Sequence, residues 1–265
     1  MPSENSEFEP AASLSTEPPS PVQSRNPVWS GWDVVKIALL MFVTPFFLDV
    51  LLSLATHQFV YPGLSWEQIS QKPAIELLAE VMAYIAVIFY MVALVEGQYH
   101  RRFLEAIFWN WPLRIWGLAA FGAVLLFALQ GLAHFLPMPK DVPFEQFFKH
   151  PLDAYLTSIL AISFGPVMEE LFFRGFLYPV LARRLGIGAG IFLTALGFGL
   201  LHSMQLGFAW GAVFIIFLVG LALTIVRAVT NSVASSLIVH VAYNSTLTVL
   251  TFVGTSGFRH LERLN

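Results

Sequence analysis

Between residues 34 and 253 the chain divides into seven apolar stretches, at about 34–55, 75–95, 113–136, 155–181, 187–204, 208–226 and 233–253. Each is close to the roughly 20 residues with which an α-helix crosses the hydrocarbon core of a bilayer. Lipid offers no hydrogen bonds, so backbone polar groups at that depth must be satisfied within the helices themselves. The expected fold is therefore all-α: a multi-pass transmembrane helical bundle of about seven to eight spans. The eighth element would come from the stretch 142–150, where Phe144, Phe147 and Phe148 alternate with Lys140, Glu145 and Lys149 in the manner of a short interfacial helix.

Composition supports this and removes several function classes. Charged residues make up 12% of the chain and hydrophobic ones 57%, whereas soluble domains carry about 25% charged residues. A net charge of −3 without a basic stripe gives no support for nucleic-acid binding. Cysteine is absent, which excludes disulfides, thiolate zinc sites and a cysteine nucleophile. The partner expected from composition is the lipid bilayer. The location expected is an integral one, in the inner membrane if the source is bacterial.

Four regions follow. Residues 1–30 hold Glu4, Glu7, Glu9 and Glu17 against the single base Arg25 and read as a disordered tail. Residues 31–154 hold the first spans and their loops, 155–253 the remaining spans, and 254–265 a short C-terminal tail. Arg101, Arg102, Arg114, Arg183, Arg184 and Arg227 fall in alternate loops, which places those loops and the N-terminus on the cytoplasmic side.

The fourth stretch is the expensive one. Glu169, Glu170 and Arg174 stand inside it, and a charge at mid-membrane costs about 2.5 to 3.5 kcal/mol unless it is paired or faces water. Glu170 and Arg174 are four residues apart with the acid first, the favoured order for an ion pair on one helix face. Glu169 points about 100° away and is left over, which makes it the candidate for chemistry. Gly165-Pro166 just ahead predicts a helix that breaks and restarts, with Glu169 near a positively polarised N-terminus.

Two histidines lie deep in spans, each with a partner four residues away on the same face. Phe198 precedes His202 and is placed to pack behind its ring, and His240 precedes Asn244. Polar groups in lipid need partners, and the accessible ones for these side chains are one another. Other chemistries lack their residues. There is no HExxH helix for a zincin site, no GxSxG elbow, and only Asp49 among the aspartates lies within a span, so no aspartyl dyad can form. Asp49, Glu76 and Glu80 are read as outer-side acids that reach water. The glycines at 186, 188, 190, 207 and 211 are read as close helix contacts, and the remaining Phe and Trp residues as lipid-facing bulk and interfacial belt.

Glu169-Glu170-x-x-x-Arg174, Phe198-x-x-x-His202 and His240-x-x-x-Asn244, in that order on three spans, resemble the three motifs of the CPBP family of intramembrane proteases. That family includes type II CAAX prenyl endopeptidases, bacteriocin-processing proteins and relatives of lysostaphin resistance protein A. The resemblance implies a polar intramembrane cavity between the spans, a protease core at 155–253, and a membrane endopeptidase acting on a peptide or protein substrate at the membrane, either membrane-associated or prenylated and CAAX-like. By carry-over, Glu169 and His202 activate water, His240 and Asn244 form the oxyanion hole, and Glu170, Arg174 and Phe198 support the site. No cofactor is favoured. The alternative keeps Glu169, His202 and His240 as ligands of zinc in a metalloprotease. Two further alternatives are a non-proteolytic scaffold or bacteriocin-immunity protein, and a proton-coupled transporter, which the lack of a matching internal repeat disfavours.

Overall fold

The computed structural model describes residues 27–70, 72–138 and 143–260. Of the acidic tail expected at 1–30 only the last four residues fall within it, and 261–265 of the C-terminal tail lie outside the described residues, as do Lys140 and the first residue of the stretch 142–150.

The described chain is helical without strands. α1 (Gly31–Phe59), α2 (Trp66–Ser70) and α3 (Pro73–Val92) are followed by a π-helical extension of α3, Ala93–Gln98. α4 (Phe103–Ala106) and α5 (Ile115–Ala133) lead to a 3-10 turn at Pro143–Phe148. Then come α6 (Pro151–Ile162), α7 (Phe164–Glu170), a π-helical segment Leu171–Leu177, α8 (Tyr178–Leu185), α9 (Ile187–Leu201), α10 (Trp210–Thr230) and α11 (Val233–Gly254). Among the described residues six helical stretches are long and apolar enough to cross a membrane: Gly31–Phe59, Pro73–Gln98, Ile115–Ala133, Pro151–Leu185, Trp210–Thr230 and Val233–Gly254.

The fifth apolar stretch, expected at 187–204, is a shorter helix of 15 residues. Its C-terminal part leaves the helix because Ser203 Oγ turns back onto the Leu200 carbonyl, and Gly207 and Phe208 both take positive φ. The 142–150 stretch likewise differs from expectation. Its Pro143–Phe148 turn is held on protein, with Phe147 buried against Leu77 and Leu160 and the Phe144 amide donating to the Gln205 carbonyl. No eighth long helix is added among the described residues.

Apolar side chains do face outward along α1, as at Phe42, Phe46 and Phe47, which in a bilayer is the lipid-facing surface. Several aromatics expected there are instead internal. Phe172, Phe173 and Phe176 are buried, and Trp29, from the stretch read as a tail, is buried too and stacks on Phe176 with ring centroids 4.4 Å apart. Among the glycines, Gly190 lies against the Ala182 backbone as a close helix contact, while Gly186 and Gly207 serve turns with φ of 86° and 58°. Gly188 has no neighbour that a side chain would meet.

Candidate active site

The fourth span is broken where the site is built. α6 ends at Ile162, Ser163 takes φ −125° and ψ −93°, and α7 restarts at Phe164. Pro166 then falls in the first turn of α7, where its missing N–H interrupts no helical hydrogen bond. The break thus occurs just ahead of Gly165-Pro166. One consequence differs from the sequence expectation. Glu169 is the sixth residue of α7, beyond the first turn over which a helix dipole acts, so the start of its own helix does not polarise it.

Immediately after Glu170 the backbone widens into the π-helical segment. Such a segment is costly in isolation and is found mostly at functional sites. Here two remote side chains bond its carbonyls: Arg227 Nε donates to the Arg174 carbonyl at 3.1 Å, and Trp29 Nε1 donates to the Phe176 carbonyl at 3.1 Å. Arg227, read from sequence as a loop charge marking the cytoplasmic side, is 2% exposed and also donates to Asn231 Oδ1 at 3.0 Å. It belongs to the wall behind the site. Arg183 donates to the carbonyls of Pro27 and Trp29, which holds the Trp29 segment in place.

Glu170 and Arg174 are both fully buried and pair at 2.9 Å. The other arm of the guanidinium donates to the Gly220 carbonyl at 2.9 Å, and its plane lies over the Phe198 ring at 4.6 Å. Gly220 has to be small. A Cβ there would stand 3.0 Å from Phe198 Cδ1 and 3.2 Å from the Ala195 carbonyl oxygen, so the absence of a side chain lets α10 close onto α9.

The same Glu170 oxygen that pairs with Arg174 lies 3.0 Å from His240 Nδ1. His202 Nδ1 lies 2.8 Å from the Phe198 carbonyl, and its ring packs against the Phe198 ring at 4.8 Å. A carbonyl and a carboxylate can only accept, so each Nδ1 carries the proton. In the neutral rings each Nε2 is then a bare lone pair. Both of these nitrogens face Glu169: His202 Nε2 is 3.8 Å from one carboxylate oxygen and His240 Nε2 is 3.6 Å from the other. These separations are too long for direct hydrogen bonds. Three basic groups, two imidazoles and one carboxylate, therefore face one another without a direct hydrogen bond between them. That geometry can accept the protons of a molecule placed between them. Glu169 and His202 retain about a fifth of their side-chain exposure, whereas His240 is nearly buried.

Asn244 sits one turn beyond His240 on α11 and donates one amide hydrogen to the Ala161 carbonyl at 2.7 Å, next to the break between α6 and α7. Its second amide hydrogen remains for another acceptor. Glu and two His are a common catalytic zinc donor set. As placed, however, the described residues form no group of three that could hold a metal ion, so no step below is routed through one.

Two residues near Glu169 were not assigned to the site from sequence. On α3, which packs against both α6 and α7, the Tyr84 hydroxyl donates a short hydrogen bond to Glu80. Both groups interact electrostatically with Glu169. Glu80 was read as reaching water at the outer side, but it is half-buried and lies on the flank of the site. The signal was the spacing of four between Glu80 and Tyr84 on one helix face, the same signal that singled out His240 and Asn244.

Residues 151–246 match the family model described as Rce1-like type II CAAX prenyl endopeptidase. Those residues form a domain of this family. The match contains all three motif pairs and covers just over a third of the chain. Neither curated proteins nor solved structures give a match. With the six apolar helices, the Rce1-like domain makes the chain an integral, multi-pass membrane protein that carries a membrane-embedded protease domain.

Proposed function

We propose that this chain is an intramembrane endopeptidase that cleaves near the terminus of a membrane-associated, prenylated or CAAX-like peptide, with Glu169 and His202 activating the attacking water. The observation that carries this reading is the convergence of the Glu169 carboxylate with the Nε2 atoms of His202 and His240. A water molecule there gives up one proton to Glu169 while its oxygen attacks the scissile carbonyl, and His202 Nε2 accepts the water's other hydrogen bond. The tetrahedral oxyanion is met by His240 and by the free amide hydrogen of Asn244. His240 reaches the oxyanion through Nε2 in its doubly protonated form, while Nδ1 stays bonded to Glu170. The proton held on Glu169 passes to the leaving nitrogen as the C–N bond breaks, and a carboxylic acid and an amine leave with no net gain or loss of protons. Positioned proton transfer contributes roughly 10²- to 10⁴-fold, and each oxyanion donor roughly 10²- to 10³-fold.

The test is cleavage by the purified protein in liposomes, using a C-terminal peptide with and without a farnesyl group in ¹⁸O-labelled water. We expect one new cleavage site, preference for the prenylated peptide, and one ¹⁸O in the newly formed carboxyl group. Intact peptides after prolonged incubation would overturn the reading and favour a non-proteolytic membrane scaffold.

A further inference from the structure

The groups that meet at the site stand on two supports. Glu169 and Glu170 end α7 and lead directly into the π-helical segment Leu171–Leu177, whereas His240 and Asn244 stand on α11. At the site itself the two supports meet through the 3.0 Å bond between His240 Nδ1 and Glu170. Arg227, near the end of α10, joins the same two supports from behind. Its Nε donates to the Arg174 carbonyl in the π-helical segment at 3.1 Å, and one terminal nitrogen donates to Asn231 Oδ1 at 3.0 Å.

Asn231 is where the chain turns from α10 into α11. It ends α10 in the left-handed region, with φ 49° and ψ 39°, and Ser232 then caps the first turn of α11 through the Ser235 amide. The segment after α4 holds the same turn from its other side. The Val233 amide donates to the Phe108 carbonyl at 3.1 Å, and the Ser232 hydroxyl donates to the Asn110 carbonyl. His240 follows nine residues after Asn231 on an unbroken helix, about 13 Å along its axis. A displacement at the start of α11 is therefore carried to His240.

The guanidinium is 2% exposed and lies over the rings of Phe108 and Tyr178, 5.5 and 5.8 Å from their centroids. Among the described residues no carboxylate stands within ion-pair distance of it. A buried cation without a counter-ion is costly, which makes it a candidate for function rather than for stability alone. Its donors are fixed in one plane, so a single rigid group sets the separation between the Arg174 carbonyl and the Asn231 side chain.

Building on the endopeptidase reading, we propose that Arg227 is a positioning residue for cleavage. Acting through Asn231 and the Arg174 carbonyl, it holds α11 against the π-helical segment at the spacing that sets His240 and Asn244 opposite Glu169. Breaking this link leaves every reacting group present but displaced, and a displacement of about 1 Å costs about 10²-fold in rate. The loss therefore falls on kcat, with KM little changed.

The test is steady-state cleavage of a farnesylated peptide in liposomes by wild type, Arg227→Lys, Asn231→Gly and the double variant, with Tm measured on the same preparations. Asn231→Gly keeps the left-handed turn and removes the side-chain acceptor. Each single variant should lower kcat by about 10- to 100-fold with KM within about twofold. The double variant should be no slower than the slower single, because both changes break one link. Ile37→Ala, which empties a fully buried position on α1, serves as a control for lost stability and should keep kcat within about threefold of wild type. Wild-type kcat in Asn231→Gly, losses that multiply in the double variant, or an equal fall in Ile37→Ala would overturn the inference and leave the endopeptidase reading intact. Should Arg227→Lys not fold, Asn231→Gly decides by the same criterion. If wild type cleaves no peptide, the endopeptidase reading fails and this inference with it.

Discussion

Arg174→Ala should be among the most damaging single substitutions in the chain, and the structure gives the size of the effect. The guanidinium is fully buried, pairs with Glu170 at 2.9 Å, caps the Gly220 carbonyl at 2.9 Å and lies over Phe198. Gly220 loses little on truncation, because the Thr224 hydroxyl also donates to its carbonyl at 2.7 Å. Glu170 loses its counter-charge while remaining fully buried. Stranding a buried charge costs about 3 to 5 kcal/mol, which for a chain of this size corresponds to a fall in Tm of about 6 to 20 °C. Thermal unfolding in detergent, followed by tryptophan fluorescence, reads this directly. A double variant, Glu170→Leu with Arg174→Met, removes both charges and should recover most of the lost stability. It should not recover activity, because His240 Nδ1 then has no carboxylate to hold it. A single variant that melts within about 2 °C of wild type, or a double variant no more stable than the single, would refute the argument that a stranded charge sets the cost.

Arg227→Lys should lower Tm although it keeps the charge, because an ammonium cannot reproduce the fork that joins the Arg174 carbonyl to Asn231; equal melting curves would count against the role given to Arg227. Trp29→Phe should cost about 1 kcal/mol for the lost bond to the Phe176 carbonyl. Trp29→Ala should cost about 3 to 5 kcal/mol, since it also empties a fully buried site. Both are read from denaturation curves, and similar costs for the two would remove the packing role. Exhaustive dialysis against a chelator should leave peptide cleavage intact; loss of cleavage that zinc restores would make Glu169, His202 and His240 ligands.

The parts of the structure that could be read from the sequence are those set by helical spacing. Apolar runs gave the spans, and pairs four residues apart gave Glu170 with Arg174, Phe198 with His202, and His240 with Asn244, because that spacing fixes a common face whatever the surroundings. What could not be read depends on contacts between distant segments. The π-helical segment after Glu170 is bonded by Trp29 and Arg227, which are 147 and 53 residues from the carbonyls they meet. Counting loop charges cannot distinguish an arginine at the membrane surface from one buried behind the site, so Arg227 was read as a topology marker. Asn244 reaches the Ala161 carbonyl across 83 residues, a partner no local pattern announces. The shortening of the fifth span also escaped, because Ser203, Gly207 and Phe208 end α9 through turn geometry inside a stretch that is still apolar.

The central claim is that Glu169 is the base in the cleavage reaction and has little part in holding the fold. It keeps about a fifth of its side-chain exposure and stands 3.6 and 3.8 Å from the two histidine nitrogens without a direct bond to either. The most direct test is the cleavage rate of Glu169→Gln on a prenylated peptide in liposomes, beside wild type and with Tm measured on the same preparations. We expect the rate to fall by at least about 10²- to 10⁴-fold with Tm essentially unchanged. Cleavage at the wild-type rate by a correctly folded Glu169→Gln protein would contradict the claim.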